Sequence, residues 1–411
     1  MRLPIIALAG VLLSSVVPAL GQKPAQSTAP KPAPSFEHCF KIVPAGHGGC
    51  PVGEDIPAET PLLEGLRHRD VPLVKKLIAE GADVNQADSR GFLPLLAAAS
   101  GDFELMEILL KAGADVNRAA RYGTTVLHDA TSCSAAVRRF LEAGADPNAL
   151  DINRRTPLIS AASNQNIESV KLLVKAGSDV AAVDGEGMTP LLYAFKAGND
   201  ELIRYFTNGF DEKVIFNEKV LSKALYFAIY NSKIDQARFV LAKGSALDSG
   251  REGRENGLGV AVQKNNPEIV KLLLDSGAKV NLDNGYSPIY WAAHTGHVGN
   301  IKLLLDAGAV VDEPRRGNYW TPLIAAARLD HVEAVKLLLD AGAQINRPAY
   351  DGLTALAYAA HAGKFETVKL LLERGADPNI KNDRDWSALV LAKANNHRRI
   401  EALLIENGAR Q

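Results

Sequence analysis

A short pattern returns along this chain at a nearly fixed interval, and that return limits what it can fold into. Gly-Ala-Asp-Val-Asn stands at Gly81 to Asn85 and again at Gly113 to Asn117. Variants follow at Gly144 to Asn148, Gly177 to Val180, Gly277 to Asn281, Gly308, Gly342 and Gly375 to Asn379, with neighbouring glycines mostly 31 to 34 residues apart. A chain of 411 residues would ordinarily be divided into two or three domains. A repeat of this period points instead to one supersecondary unit copied and stacked, growing in one dimension without enlarging a central core.

Two further markers keep the same register. Thr60-Pro61-Leu62, Thr156-Pro157-Leu158, Thr189-Pro190-Leu191, Ser287-Pro288-Ile289 and Thr321-Pro322-Leu323 each precede a glycine by about 21 residues, and Lys-Leu-Leu-Leu begins at Lys271, Lys302, Lys336 and Lys369. Thr or Ser caps a free backbone N–H at a helix start, and Pro at the first helical position gives up a donor that had no partner. Val332, Val335, Leu338 and Leu339 recur at helical spacing and predict a second helix with one apolar face. Gly342 then suits the left-handed residue that ends a helix. Each unit reads as helix, tight turn, helix and projecting hairpin, with about eleven units between Glu54 and Gly408. Polar Arg398, Arg399, Glu401 and Glu406 around the last helix fit an end unit whose outer face has no neighbour.

With this period and these three markers, residues 54–411 resemble the ankyrin-repeat family. The resemblance implies an all-α solenoid of about eleven helix-turn-helix units with projecting β-hairpin loops. It also implies a non-catalytic role in binding another protein through the hairpin tips and the concave face of the first helices. The match fades between Gly198 and Gly257, where Asp211 to Lys219 reads as an insertion and Ala224-Leu225 stands where Thr-Pro belongs. Drift in a tolerant surface, a hinge and a specialised contact region all remain open there.

The N-terminal residues are of another kind. Met1-Arg2, the mostly apolar Ile5 to Leu20 and Ala19-Leu20-Gly21 read as a signal peptide over residues 1–21, cleaved after Gly21. Residues 22–36, rich in Pro and Ala, read as an extended linker. The expected setting is therefore the periplasm or the extracellular space. In such a compartment Cys39 and Cys50, within the segment 37–53, are expected to pair as a disulfide. Metal binding by His38, Cys39, His47 and Cys50 is the rival reading, and with it a small redox or metal-binding module carried on the repeats. Cys133, in the turn of the third unit, has no cationic neighbour in sequence and reads as inert.

Composition narrows function further. Lys plus Arg total 46 against 47 for Asp plus Glu, which leaves no net basic field for nucleic acid. No later segment reaches membrane-spanning length. No Gly-x-Ser-x-Gly, His-Glu-x-x-His, phosphate-binding loop or dinucleotide fingerprint occurs. No cofactor, metal or catalytic residue is expected, and a monomer is. His128, His297 and His331 fall where the resemblance implies hydrogen-bonding scaffold residues.

The position just before each cap is held by Phe92, Thr124, Arg155, Met188, Tyr286, Trp320, Leu353 and Trp386. Four of the eight are aromatic in a chain with 6% aromatic residues, and Trp, Tyr and Arg dominate interface energetics. Arg315, Arg316 and Tyr319 share one hairpin with Trp320, and Arg328 and His361 begin turns between helices. The expected partner-binding set is therefore Phe92, Tyr286, Arg315, Arg316, Tyr319, Trp320, Arg328, His361 and Trp386, weighted to the units from Tyr286 to Trp386. The competing expectation is that each aromatic packs on the adjacent hairpin.

Overall fold

The computed structural model describes residues 60–99, 102–247, 257–281, 287–315, 317 and 319–410. Across them the chain is a stack of helix pairs, from Pro61–Arg67 with Val71–Ala79 to Ala388–Ala394 with Arg398–Glu406, and no strand occurs among the described residues. Eleven pairs form, joined by one extra short helix, Glu212–Ile215. The signal-peptide, linker and Cys39–Cys50 readings lie outside the described residues, as do Tyr286 and Arg316.

The first helices start where the Thr/Ser-Pro markers place them. Thr156, Thr189, Ser287 and Thr321 each accept the backbone N–H three residues on, at 3.2 Å. In the third unit Thr125 shares this work with His128. The backbone N–H of Thr125 donates to His128 Nδ1 at 3.2 Å, so Nε2 carries the proton and donates to the Arg155 carbonyl at 2.9 Å. Burial lowers the pKa of that imidazole from its ordinary value, in keeping with a scaffold role.

Alanine is what lets the units stack. Ala325, Ala326 and Ala327 in Pro322–Leu329, and Ala355, Ala357, Ala359 and Ala360 in Ala355–His361, are almost wholly buried. Small side chains allow neighbouring first helices to approach closely, and this row packs more densely than the row of second helices. The second helices bury one apolar stripe: Val335 and Leu338 are sealed, while Val332 and Leu339 are only partly covered. Arg398, Arg399 and Glu406 of the last described helix are exposed.

A polar ladder ties the units along one edge. The Asn that ends each Gly-Ala-Asp-Val-Asn segment reaches the next unit. Asn117 donates Nδ2 to the Gly144 carbonyl at 3.0 Å and accepts the Asp146 N–H at 2.7 Å. Asn85, Asn148, Asn281 and Asn379 make the same pair of bonds to their next units. Between Asn148 and Asn281 no such rung forms among the described residues, because Ala181 holds the Asn place in its unit.

That gap coincides with the degenerate stretch, which is not slack. Asp211 caps Glu212–Ile215, Ile215 is buried, and Phe216 packs against Phe239 at 6.2 Å. The next first helix, Glu218–Tyr230, has 13 residues and begins well before Ala224, which accounts for the missing Thr-Pro. Its Lys223 Nζ donates to the Glu186 and Gly187 carbonyls at 2.8 and 2.9 Å. Asn231 and Gln236 add further bonds to the preceding unit. Specific contacts in this region therefore take over from the absent rungs.

Between the helices of a pair, glycine has a second duty. Gly296 has φ +73°, and a Cβ there would lie 2.6 Å from His331 Nδ1 of the next unit. His331 cannot yield easily, since its Nε2 bonds the His294 carbonyl at 3.1 Å. Gly342, with φ +88°, faces open space. In urea unfolding, Gly342→Ala is expected to cost about 1 kcal/mol from its backbone angle alone, and Gly296→Ala about 2–4 kcal/mol. Asn117→Ala, which removes both bonds of one exposed rung, is expected to cost about 1 kcal/mol. Asn117→Asp keeps the acceptor and should cost about half as much.

Candidate functional site

The hairpins set which side chains face outward, and an Asp or Asn side chain organises four of them. Asp88 Oδ1 accepts the N–H groups of Arg90 and Phe92 at 2.9 and 2.7 Å, while the Asp88 N–H meets the Phe92 carbonyl at 3.0 Å. Asp151, Asp184 and Asn382 do the same for the residues ending at Arg155, Met188 and Trp386. Neighbouring tips are also joined by backbone bonds, from Ile152 N–H to the Tyr122 carbonyl and from Gly185 N–H to the Asn153 carbonyl.

The row just before the caps divides. Met188 and Leu353 are buried, whereas Phe92 is 47% and Trp386 is 40% exposed. Trp320 is half-buried: its ring meets Tyr358 edge-on at 5.1 Å, and its Nε1 donates to the Tyr358 hydroxyl at 2.9 Å. That hydroxyl donates to Asp351 Oδ2 at 2.7 Å. Arg328 lies 5.1 Å above the Trp320 ring. Two of the expected residues therefore meet in one cluster with Tyr358 and Asp351, which the sequence reading missed.

The tip preceding Trp320 is built differently. Arg315 replaces the carboxylate, its N–H bonds the Trp320 carbonyl at 2.9 Å, and the loop is one residue longer than at Asp88. Tyr319 takes φ +55° and stacks on Tyr350 of the next tip at 6.2 Å. Arg315 turns back over the preceding first helix, 5.4 Å from the Trp291 ring and 5.9 Å from the Tyr290 ring. His294 stacks on Tyr290 at 5.9 Å, and its Nδ1 is buried with no hydrogen-bond partner among the described residues. Burial first, then the charges of Arg328, His331 and Arg315, hold the His294 pKa below its ordinary value.

The remaining expected residues stand apart from this cluster. Exposed His361 accepts from Asn395 Nδ2 at 3.0 Å and offers its carbonyl to His397. Trp386 lies under Arg384 at 5.5 Å. Phe92 is at the far end, beside a cleft of about 660 Å³ that Arg67, Tyr122 and Asp129 also line.

A signal for the missed residues was present. Tyr193, Trp291 and Tyr358 each lie four residues after a capping Thr or Ser. Tyr193 repeats the Tyr358 arrangement, with its hydroxyl donating to Asp184 at 2.8 Å and Arg155 above its ring at 5.5 Å. Burial, with that bond to Asp184, pushes the Tyr193 hydroxyl up to about 12.

Cys133 is buried at the start of Ser134–Glu142 and unpaired. Among the described residues no group of three His, Cys, Asp or Glu side chains is placed to hold a metal, and no helix is long and apolar enough to cross a membrane.

Comparison with known proteins agrees with this architecture. The family model for ankyrin repeats, built of three copies, matches in overlapping stretches from residue 62 to residue 411. A putative ankyrin repeat protein, FPV022, of fowlpox virus is 24% identical over 240 residues, or 57% of this chain and 35% of that protein. The human ankyrin repeat and SOCS box protein 14 is 30% identical over 177 residues, covering 41% of this chain and 30% of its own length. The chain thus spans about a third of each of these relatives.

Asp129 is exposed on the wall of the Phe92 cleft, and its crowded surroundings there push its carboxyl up to about 6 from 3.8 by desolvation. Folded protein then holds that proton to higher pH than unfolded chain, so stability falls as pH rises through this window. Asp129→Asn removes the decline. Thermal melts are expected to show the variant more stable than wild type above pH 6 and indistinguishable from it below about pH 4.

Proposed function

Because the chain belongs to the ankyrin-repeat family, we propose that it is a non-catalytic scaffold that binds one partner protein with the aromatic face of its C-terminal units. Ankyrin repeats generally mediate protein–protein interaction, and ankyrin-repeat proteins are typically not enzymes. The observation that carries the reading is the convergence of Trp320, Arg328 and Tyr358, with Arg315 beside Trp291, on consecutive first helices and their hairpins. Rigid aromatics and arginines held on helices lose little entropy on binding and dominate interface energies. Trp386, exposed on the hairpin of the unit after Tyr358, stands apart from the cluster and enters this reading as a second anchor.

The pattern of residues 1–21 supports export, with action in the periplasm or outside the cell. The even charge balance supports a protein partner over nucleic acid, and the reading takes the protein as a monomer. A cofactor has no part in this reading.

The test is a crosslinking recovery from periplasmic and medium fractions with tagged protein. Wild type is compared with a variant carrying Trp320→Phe and Trp386→Ala. Phe retains ring packing on Tyr358, whereas Trp320→Ala would itself cost about 1–2 kcal/mol of stability. A single protein recovered with wild type and at least about tenfold depleted with the folded variant is expected for two hot-spot losses. Equal recovery with both would sink the assignment of this face.

A further inference from the structure

Two arginines on the C-terminal face stand without the ion pairs found elsewhere in the stack. Arg328 and Arg315 both lie near enough to His294 for their charges, after burial, to help lower its pKa. Among the described residues neither Arg315 nor Arg328 has a carboxylate within ion-pair distance. Elsewhere in the stack, Arg139 pairs with Glu107, and Arg374 pairs with Asp340 at 2.7 Å. Asp351, which acts on Tyr358 together with Arg328, is already committed to the Tyr358 hydroxyl and the Leu353 N–H. Two guanidiniums are thus held over indole rings, at 5.4 and 5.1 Å, with no ion-pair partner among the described residues.

A guanidinium presents a planar fork of N–H donors that matches a carboxylate in two bonds. Fixing that fork on a ring in advance removes part of the entropy cost of using it. The surrounding rings offer apolar area, and the exposed Asp351 carboxylate beside them is engaged by the Tyr358 hydroxyl. We infer that the partner contacts this face with an acidic segment, whose carboxylates seat on Arg315 and Arg328 between the Trp291 and Trp320 rings.

This inference rests on the scaffold reading and specifies the partner's chemistry. Nucleic acid also carries anions and stacks on tryptophan. Its binding draws on a track of cations along many phosphates, and the even balance of 46 basic against 47 acidic residues gives the chain no net basic field for it. Two arginines beside a histidine suit a few carboxylates.

The protein carries its own reporter, since its three tryptophans are Trp291, Trp320 and Trp386. The full chain is titrated, with intrinsic fluorescence as readout, against a synthetic peptide of mostly Glu and Asp. A Lys-rich peptide of equal length and oligothymidylate serve as comparisons. Saturable binding of the acidic peptide alone is expected, weakening about tenfold as salt rises from roughly 50 to 300 mM.

Arg315→Gln with Arg328→Gln should weaken binding by at least about tenfold. Lys302→Gln with Lys336→Gln, an equal charge change at exposed positions on second helices, should leave it unchanged. A melting curve checks that both variants are folded. Tighter binding of oligothymidylate, equal binding of the Lys-rich peptide, or no loss in the Arg315/Arg328 variant overturns the proposal. If none of the probes binds but crosslinking still recovers a partner sensitive to Trp320 and Trp386, the acidic-segment inference falls and the scaffold reading stands.

Discussion

Close approach between the first helices of successive units is the contact on which the other features depend. Each unit has apolar surface on both sides and can seal it only against a neighbour. Small buried residues such as Ala326, matched by Ala292 and Ala359 in the units on either side, bring helix backbones near enough for this. Once the spacing is set, the Gly296 and His331 contact, the Asn rungs and the joined hairpin tips fall into register without any sheet or central core. Stability in such a stack is close to a sum of unit and neighbour terms, so a local change in the sequence is felt locally.

The stretch around residues 181–281 illustrates that local accounting. Losing the Asn at position 181 removes a rung, and the inserted Glu212–Ile215 displaces the next unit's start. The chain answers with a longer helix, Glu218–Tyr230, anchored through Lys223 on the carbonyls of the previous tip. The region is thus a differently bonded joint between two runs of regular rungs.

The same scaffold makes one surface unlike the rest. Where Asp88 or Asp184 organises a tip, the chain turns tightly on a buried carboxylate. Where Arg315 stands instead, the tip gains a residue and a guanidinium is free to turn back over Trp291. A replacement and an added residue together change the shape of a loop and place a cation over the helix beneath it.

The periodic glycines, caps and apolar stripes determined the fold class, the number of units and their register, because each is a local backbone requirement legible one unit at a time. Along the row before the caps, sequence could mark Phe92, Met188, Trp320, Leu353 and Trp386 as equivalent positions. It could not say that Met188 and Leu353 are buried while Phe92 and Trp386 are exposed. Nor could it show that Trp320 bonds Tyr358, 38 residues on, or that Arg315 faces the unit before it. Those outcomes depend on what the adjoining unit places opposite each side chain, and only stacking brings residues a full repeat apart into contact.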